Sequence, residues 1–263
     1  ILGDLNDESV RNFVLEGVNS VVHLAAIVGD SACSKNQEFS MKNNYGVTQA
    51  LVDQSKSKGI QRFVFSSTCS NYGVKSDDEI CTEETSVNPV SVYAVSKVKS
   101  EEYVLREATN EFVPTSLRFS TVFGVSSRMR FDLLVNDFTK EAVTKGEVLV
   151  YGEQFWRPYL HVRDISKAIV DVLEAESKLV SGQVFNVGNN RMNYKKKEIA
   201  DLVQQEFPGA KFSFVRRDND PRSYRVDFSK IKNVLGFEPT KSIKDGIREV
   251  KAILESGVIG VTP

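Results

Sequence analysis

Cysteine, histidine and tryptophan are scarce in this chain, at three, two and one among 263 residues. Cys33, Cys69 and Cys81 are odd in number and nowhere spaced as C-x-x-C, which excludes a disulfide scaffold or structural zinc as the organising device. With His23 and His161 far apart, no metal site is expected. So few thiols fit a reducing compartment, and the expected location is the cytoplasm. An excess of one charge is also lacking. Lys and Arg total 34 against 35 for Asp and Glu, a net charge of -1, so no broad basic field attracts a phosphate backbone and nucleic acid is not an expected partner. Long apolar runs are missing too: the stretch from Val21 to Gly29 is far short of the ~20 residues of a membrane span and contains His23, so no membrane association is expected. The remainder, 41% apolar and 26% charged, is the composition of a folded globular protein rather than a disordered or fibrous one. At roughly 150 residues per domain, the length predicts one large domain, or one large plus one small.

What is present is an alternation of short β-branched apolar runs with amphipathic stretches. It predicts helix from Glu8 to Gly17, strand from Ser20 to Ala25, a long helix from about Phe39 to Lys58, strand from Arg62 to Ser67 and helix from Ser91 to Asn110. Strand from Thr115 to Phe119, helix from Phe131 to Lys145, strand from Val148 to Tyr151, helix from Ile165 to Ser177 and strand from Gln183 to Val187 follow. Val21 to Leu24 and Phe63 to Phe65 are apolar throughout or nearly so, as expected of parallel strands covered by helices on both faces. The fold class is therefore α/β with a doubly wound parallel sheet. After Asn189 the pattern changes to a basic-fronted helix (Lys195 to Glu206), a short strand (Lys211 to Val215), a polar loop (Arg216 to Arg225) and two short helices around Lys230 and Ile243, which suggests a smaller α/β lobe. The opening Ile1-Leu2-Gly3-Asp4 reads as a strand end, so the sequence is expected to be a piece of something longer.

The most informative cluster is Tyr93-Ala94-Val95-Ser96-Lys97. Tyrosine and lysine four apart at a helix start share one face and can point into one cleft. A tyrosine pKa of about 10 is too high for a base at neutral pH, and a neighbouring ammonium favours the phenolate. Alone, such spacing more often marks a half-buried ring beside a snorkelling surface chain. Its context raises the catalytic prospect. The buried run Phe63-Val64-Phe65 ends in Ser66-Ser67-Thr68, placing hydroxyls where the C-terminal ends of parallel strands line a ligand crevice. Val21-Val22-His23-Leu24 ends in Ala25-Ala26, small residues that let a flat ligand approach the backbone.

At this point the sequence resembles the extended short-chain dehydrogenase/reductase superfamily, in its NAD-dependent epimerase/dehydratase branch acting on nucleotide sugars. The resemblance runs nearly from end to end. It is carried by His23-Leu24-Ala25-Ala26, Asn44 with Thr48, Ser66-Ser67-Thr68 with Tyr72-Gly73, Tyr93 and Lys97 with Glu101, Leu117-Arg118-Phe119 with Val122-Phe123-Gly124, Arg157 to Asp164, Phe185-Asn186-Val187-Gly188, and Leu235 to Pro239. It implies a Rossmann-type cofactor domain over residues 1–124 and 159–190, and a substrate lobe over 125–158 and 191–263. The family's Gly-rich turn and its cofactor-selecting residue would precede Ile1, so the first strands are expected to be missing from this sequence. NAD is the implied cofactor, with NADP left open. Asp4 matches the position that receives the adenine amino group, with Leu5 beside it. Leu24, Ala25 and Ala26 would lie along the cofactor, Asn44 would brace that wall, and Ser66, Ser67 and Phe119 would line the nicotinamide side. Lys97 would also hold the nicotinamide ribose.

For the chemistry, the resemblance implies Tyr93 as the base that takes a sugar hydroxyl proton, and Thr68 as the hydroxyl that shares that proton. A keto-sugar results. Dehydratases carry Asp-Glu after the threonine; here Cys69-Ser70 stand there, which disfavours dehydration and leaves both as substrate contacts or, for Cys69, a packed thiol. Arg157 and Arg222 match the arginines that clasp the diphosphate, a role suited to a planar fork of donors. Tyr151 could flank the nucleobase, Arg128 and Arg130 could reach sugar or phosphate, and Thr121 stands where many relatives carry Asn. His161 and Asp164 are expected to be structural, Asp164 as a helix N-cap. The leading expectation is a nucleotide-sugar epimerase. The alternatives are a 4-dehydrogenase or keto-sugar reductase and, in another class, a non-catalytic sensor or scaffold. A homodimer pairing through the helices over Phe39 to Lys58 and Ser91 to Asn110 is the family-level expectation.

Overall fold

A computed structural model describes residues 1–217 and 222–258. The chain runs α1 (Glu8–Val14), β1 (Ser20–His23), α2 (Asp30–Lys35), α3 (Gln37–Met41), a π-turn (Lys42–Gly46), α4 (Val47–Ser57), β2 (Arg62–Thr68), a 3-10 turn (Cys69–Tyr72), β3 (Ile80–Cys81) and α5 (Val92–Arg106). It continues through β4 (Val113–Phe119), β5 (Thr121–Phe123), α6 (Leu134–Lys145), β6 (Glu147–Tyr151), β7 (Trp156–His161), α7 (Val162–Glu174), α8 (Ser177–Val180) and β8 (Gln183–Val187). The last part holds β9 (Asn193–Lys195), α9 (Lys196–Glu206), β10 (Lys211–Val215), β11 (Arg225–Val226), α10 (Ser229–Leu235) and α11 (Ile243–Glu255).

The central sheet is parallel, in the order β1-β2-β4-β8. Its strands are apolar because helices cover both faces: Phe63, Phe65 and Leu117 are at most 1% exposed, and each such side chain contributes roughly 1.5–3 kcal/mol by leaving water. One face packs Leu51, Val52, Val104 and Phe112 against β2. The other packs Val172, Ile165, Ile231 and Phe237 against Leu117, Phe185 and Val187. Because β2 and β4 pair in register from Arg62↔Val113 to Thr68↔Phe119, Ser66, Ser67, Thr68 and Phe119 emerge together at one sheet edge. A second apolar cluster joins Phe138 of α6, Val148 and Val150 of β6, Ile199 and Val203 of α9, and Ile247 of α11. No helix is long and apolar enough to cross a membrane among the described residues.

Three local expectations are corrected. The long helix is interrupted by the π-turn Lys42–Gly46 and preceded by α2, which the pattern did not show. Helix α7 begins at Val162 with His161 as its N-cap, its ring accepting from Arg163 N at 3.2 Å. Asp164 is not the cap: it lies inside the first turn, where its carboxylate accepts from Thr240 N and Oγ1 and Lys241 N at 2.9–3.1 Å. Arg225, expected in a loop, pairs in β11 with Ile80 of β3.

Candidate active site

Thr68 closes β2 in extended conformation and caps the following 3-10 turn, its Oγ1 accepting from Ser70 N at 3.1 Å. That bond fixes the hydroxyl at the mouth of the sheet and leaves its O–H and a second lone pair for a ligand. Across the mouth, α5 starts at Ser91, whose side chain accepts from Ala94 N at 3.2 Å. This cap holds Tyr93 in the first turn and Lys97 one turn on. Tyr93 and Thr68 line one cleft of about 260 Å³ with Ser66, Ser67, Ser70, Phe119, Thr121, Arg130 and Arg222.

Lys97 is 3% exposed. Its ammonium donates to Ser66 O at 2.6 Å and lies 4.7 Å from the centre of the Phe65 ring. Burial lowers its pKa to about 8, against a smaller upward push from Cys33. Lys97 lies one helical turn from Tyr93, whose phenol it is expected to depress. Burial pushes that phenol well up, Cys33, Asp30 and Tyr224 add to it, and the opposing charge is that of Arg130.

The cofactor-side residues gather partly. Asp4, Leu5, Ala25 and Ala26 line one groove of about 450 Å³ with Asn43. Asp4 Oδ1 accepts from Asn6 N and Nδ2, both at 2.9 Å, and these bonds hold its carboxyl below the ordinary range. Asn44 is buried and ties the wall to α5: Oδ1 accepts from Ile27 N at 2.7 Å, and Nδ2 donates to Ile27 O at 2.9 Å and Ser96 Oγ at 3.2 Å. Leu24 is 55% exposed and lines an adjoining groove that shares Leu5 and Ala25 with the first.

On the substrate side, Arg157 is buried, donates to Trp156 O at 2.7 Å and to Arg222 O, and lies over the Tyr224 ring at 5.6 Å. Arg222 faces Asp30 across the cleft at 3.4 Å. Asp218, Asn219, Asp220 and Pro221, which precede Arg222 in sequence, lie outside the described residues. Cys69 is not brought to the cleft. It is fully buried, donates to Arg118 O at 3.1 Å, and burial pushes its thiol far up, because the 3-10 turn after Thr68 aims it into a core of Tyr72, Cys81 and Phe228. Arg128 is exposed, and Tyr151 is 41% exposed under Arg217; neither lines the cleft. Asp30, Ser120 and Tyr224 do line it and were not singled out from sequence. The pair Gly29-Asp30, a glycine before an acid at the start of α2, is the signal that could have found the first.

The model of the NAD dependent epimerase/dehydratase family matches residues 1–188. The chain belongs to that family. A Bacillus subtilis protein named as an uncharacterized UDP-glucose epimerase, YtcB, is 31% identical over 250 residues, 92% of this chain and 76% of its own length. The dTDP-glucose 4,6-dehydratase of Streptomyces griseus is 28% identical, covering 93% of this chain and 74% of the dehydratase. Among solved structures, UDP-glucuronic acid 4-epimerase from Bacillus cereus, in complex with UDP-glucuronic acid and NAD, matches with a TM-score of 0.84 at 26% identity, over 97% of this chain and 80% of that one.

As a member of an NAD dependent epimerase/dehydratase family, this chain is an enzyme of the epimerase/oxidoreductase type, and the residues present fit a dinucleotide. An ammonium has three N–H donors, and among the described residues Lys97 commits one, to Ser66 O; two remain for ligand hydroxyls. Alanines at 25 and 26 leave room for a ligand against the backbone of the strand end.

Proposed function

We propose that this protein is an NAD-dependent nucleotide-sugar epimerase working through a transient keto-sugar, with Tyr93 as the base. The supporting observation is that Thr68, Tyr93 and Arg222 line one cleft while the Lys97 ammonium is buried against Ser66 O behind it. Lys97, with Asp4, Leu5, Ala25, Ala26, Ser66, Ser67 and Phe119, would hold the cofactor. When bound, the nicotinamide supplies a hydride acceptor, returns that hydride, and in its oxidised form brings a positive charge that favours phenolate.

The chain's own residues do the rest. Tyr93 takes the proton of a sugar hydroxyl and Thr68 shares it, holding the oxygen in place. Burial raises the phenol's pKa and the Arg130 charge lowers it, the direction a base needs. Arg222, from the loop before β11, lines the cleft and would grip the diphosphate, with Arg157 of β7 behind it, donating to the Arg222 carbonyl. Rotation of the held keto-sugar before the hydride returns inverts the carbon. Epimerisation is favoured over dehydration because Cys69, in place of an acidic residue, is sealed in the core, where burial makes its thiol a weaker acid and keeps it from the substrate. A 4-dehydrogenase or keto-sugar reductase would use the same groups with release of the keto-sugar. Tyr151 would flank the nucleobase, and a homodimer would pair through α4 and α5.

Incubation of the full-length protein with NAD and a panel of UDP, dTDP, GDP and ADP sugars, followed by proton NMR, tests the proposal. Appearance of the epimeric sugar is the expected result. Cofactor and sugar binding without conversion of any sugar would indicate a sensor or scaffold instead.

A further inference from the structure

The cleft that holds Tyr93 is lined by a second phenol, that of Tyr224, which reaches it from the loop before β11. Its place is firmly set. Ser223 pairs with Val74 in a bridge, in which Ser223 N donates to Gly73 O at 3.3 Å and Lys75 N to Ser223 O at 2.8 Å. Tyr224 N donates to Trp156 O at 3.4 Å. The ring lies 6.3 Å from that of Tyr72, centre to centre, with the Arg157 guanidinium 5.6 Å over it. Tyr224 is 3% exposed, and its hydroxyl lies 3.3 Å from Ser70 Oγ. Ser70 also lines the cleft, and its backbone N–H is the one that fixes the Thr68 hydroxyl.

Two hydroxyls bring two O–H donors, and the bond between them uses one, whichever way it runs. Among the described residues neither hydroxyl has another partner, so one O–H remains for a ligand in the cleft. A buried donor left unpaired is costly, and an oxygen of the ligand relieves that cost. Through Ser70 the pair is tied to Thr68, which shares the proton of the reacting hydroxyl in the proposed reaction, so the part of the ligand within reach is the sugar. Resting on the proposal that this cleft takes nucleotide sugars, we infer that Tyr224 is a specificity-determining residue: paired with Ser70, it holds a second hydroxyl of the sugar, beside the one that Tyr93 and Thr68 engage, and disfavours a sugar deoxygenated there. A site built to hydrogen-bond an oxygen rejects the analogue that lacks it, because the protein's own donor is then left without an acceptor.

The test uses the full-length protein with NAD, its best nucleotide sugar, and analogues of that sugar deoxygenated at one position at a time, the reacting hydroxyl excepted, with kcat/KM and the dissociation constant measured for each. Tyr224→Phe, which removes the hydroxyl and keeps the ring, is expected to lower kcat/KM on the intact sugar at least about tenfold. On one deoxy analogue it should cost little or nothing further, since phenol and sugar hydroxyl are then two ends of a single interaction. Ser70→Ala, which removes the partner, should show the same dependence on the same position. Cofactor binding by each variant checks that it folds. A loss in Tyr224→Phe that is equal on every deoxy analogue, as a contact with the diphosphate or a merely structural role would give, overturns the inference, as does no loss on the intact sugar; in both cases the epimerase proposal stands. Failure of the wild type on every sugar would overturn both.

Discussion

Lys97 carries its charge inside the protein at a cost. Its ordinary pKa of 10.5 is lowered to about 8 by burial, so between these values the unfolded chain binds a proton that the folded chain does not. Stability therefore rises with pH across that window, and below pH 8 the full cost remains, about 3 kcal/mol. Urea unfolding from pH 7 to 10.5 should show this rise in the wild type and lack it in Lys97→Met, which should also lose turnover; equal pH slopes in the two proteins would refute the buried charge. Tyr93, Lys97 and Thr68 were readable in the sequence because a helical spacing and strand-end hydroxyls name them, whereas Arg222 came only from the family resemblance. Asp30 was not readable, since a residue placed by one glycine turn has no periodicity to betray it. Cys69 was misplaced for a related reason: adjacency to Thr68 says nothing of which way a 3-10 turn then points the side chain.

At the scale of elements, α5 is bound to the sheet by a buried ion pair. Arg118 of β4 gives Glu101 of α5 bonds of 2.5 Å from Nη2 and 3.1 Å from Nε, while Nη1 donates to Tyr72 Oη at 2.9 Å and Ser116 Oγ donates to the same glutamate at 2.8 Å. One network thus joins the helix bearing Tyr93 to the turn after Thr68. Glu101→Gln leaves the guanidinium uncompensated and should cost about 3–5 kcal/mol; a midpoint of unfolding within error of the wild type would show that the pair does not hold α5. The main strands and long helices were legible from their alternation. The short strands β3, β5, β9 and β11 were not, being two or three residues long and defined by partners distant in sequence. Asp164 resembled a cap by residue type, but tertiary contacts with Thr240 and Lys241 claim its carboxylate and leave the cap to His161.

For the whole molecule, the two apolar clusters, one around the central sheet and one around α6, β6, α9 and α11, support the proposed division into a cofactor part and a substrate part. The division is not a clean cut in sequence. Ile231 of α10 and Phe237 just after it, within the stretch assigned to the substrate lobe, pack on the central sheet. Arg222 and Tyr224, just before α10, complete the cleft over Tyr93. No local pattern could show that closure, because it depends on where a distant loop returns. The decisive experiment on Tyr93 is a single-turnover record of reduced-nicotinamide absorbance, with the best nucleotide sugar, in the wild type and in Tyr93→Phe. Transient reduction in the wild type, slowed at least about a hundredfold in a variant that still binds cofactor, is expected of a catalytic base; an undiminished rate in Tyr93→Phe would remove Tyr93 from that role.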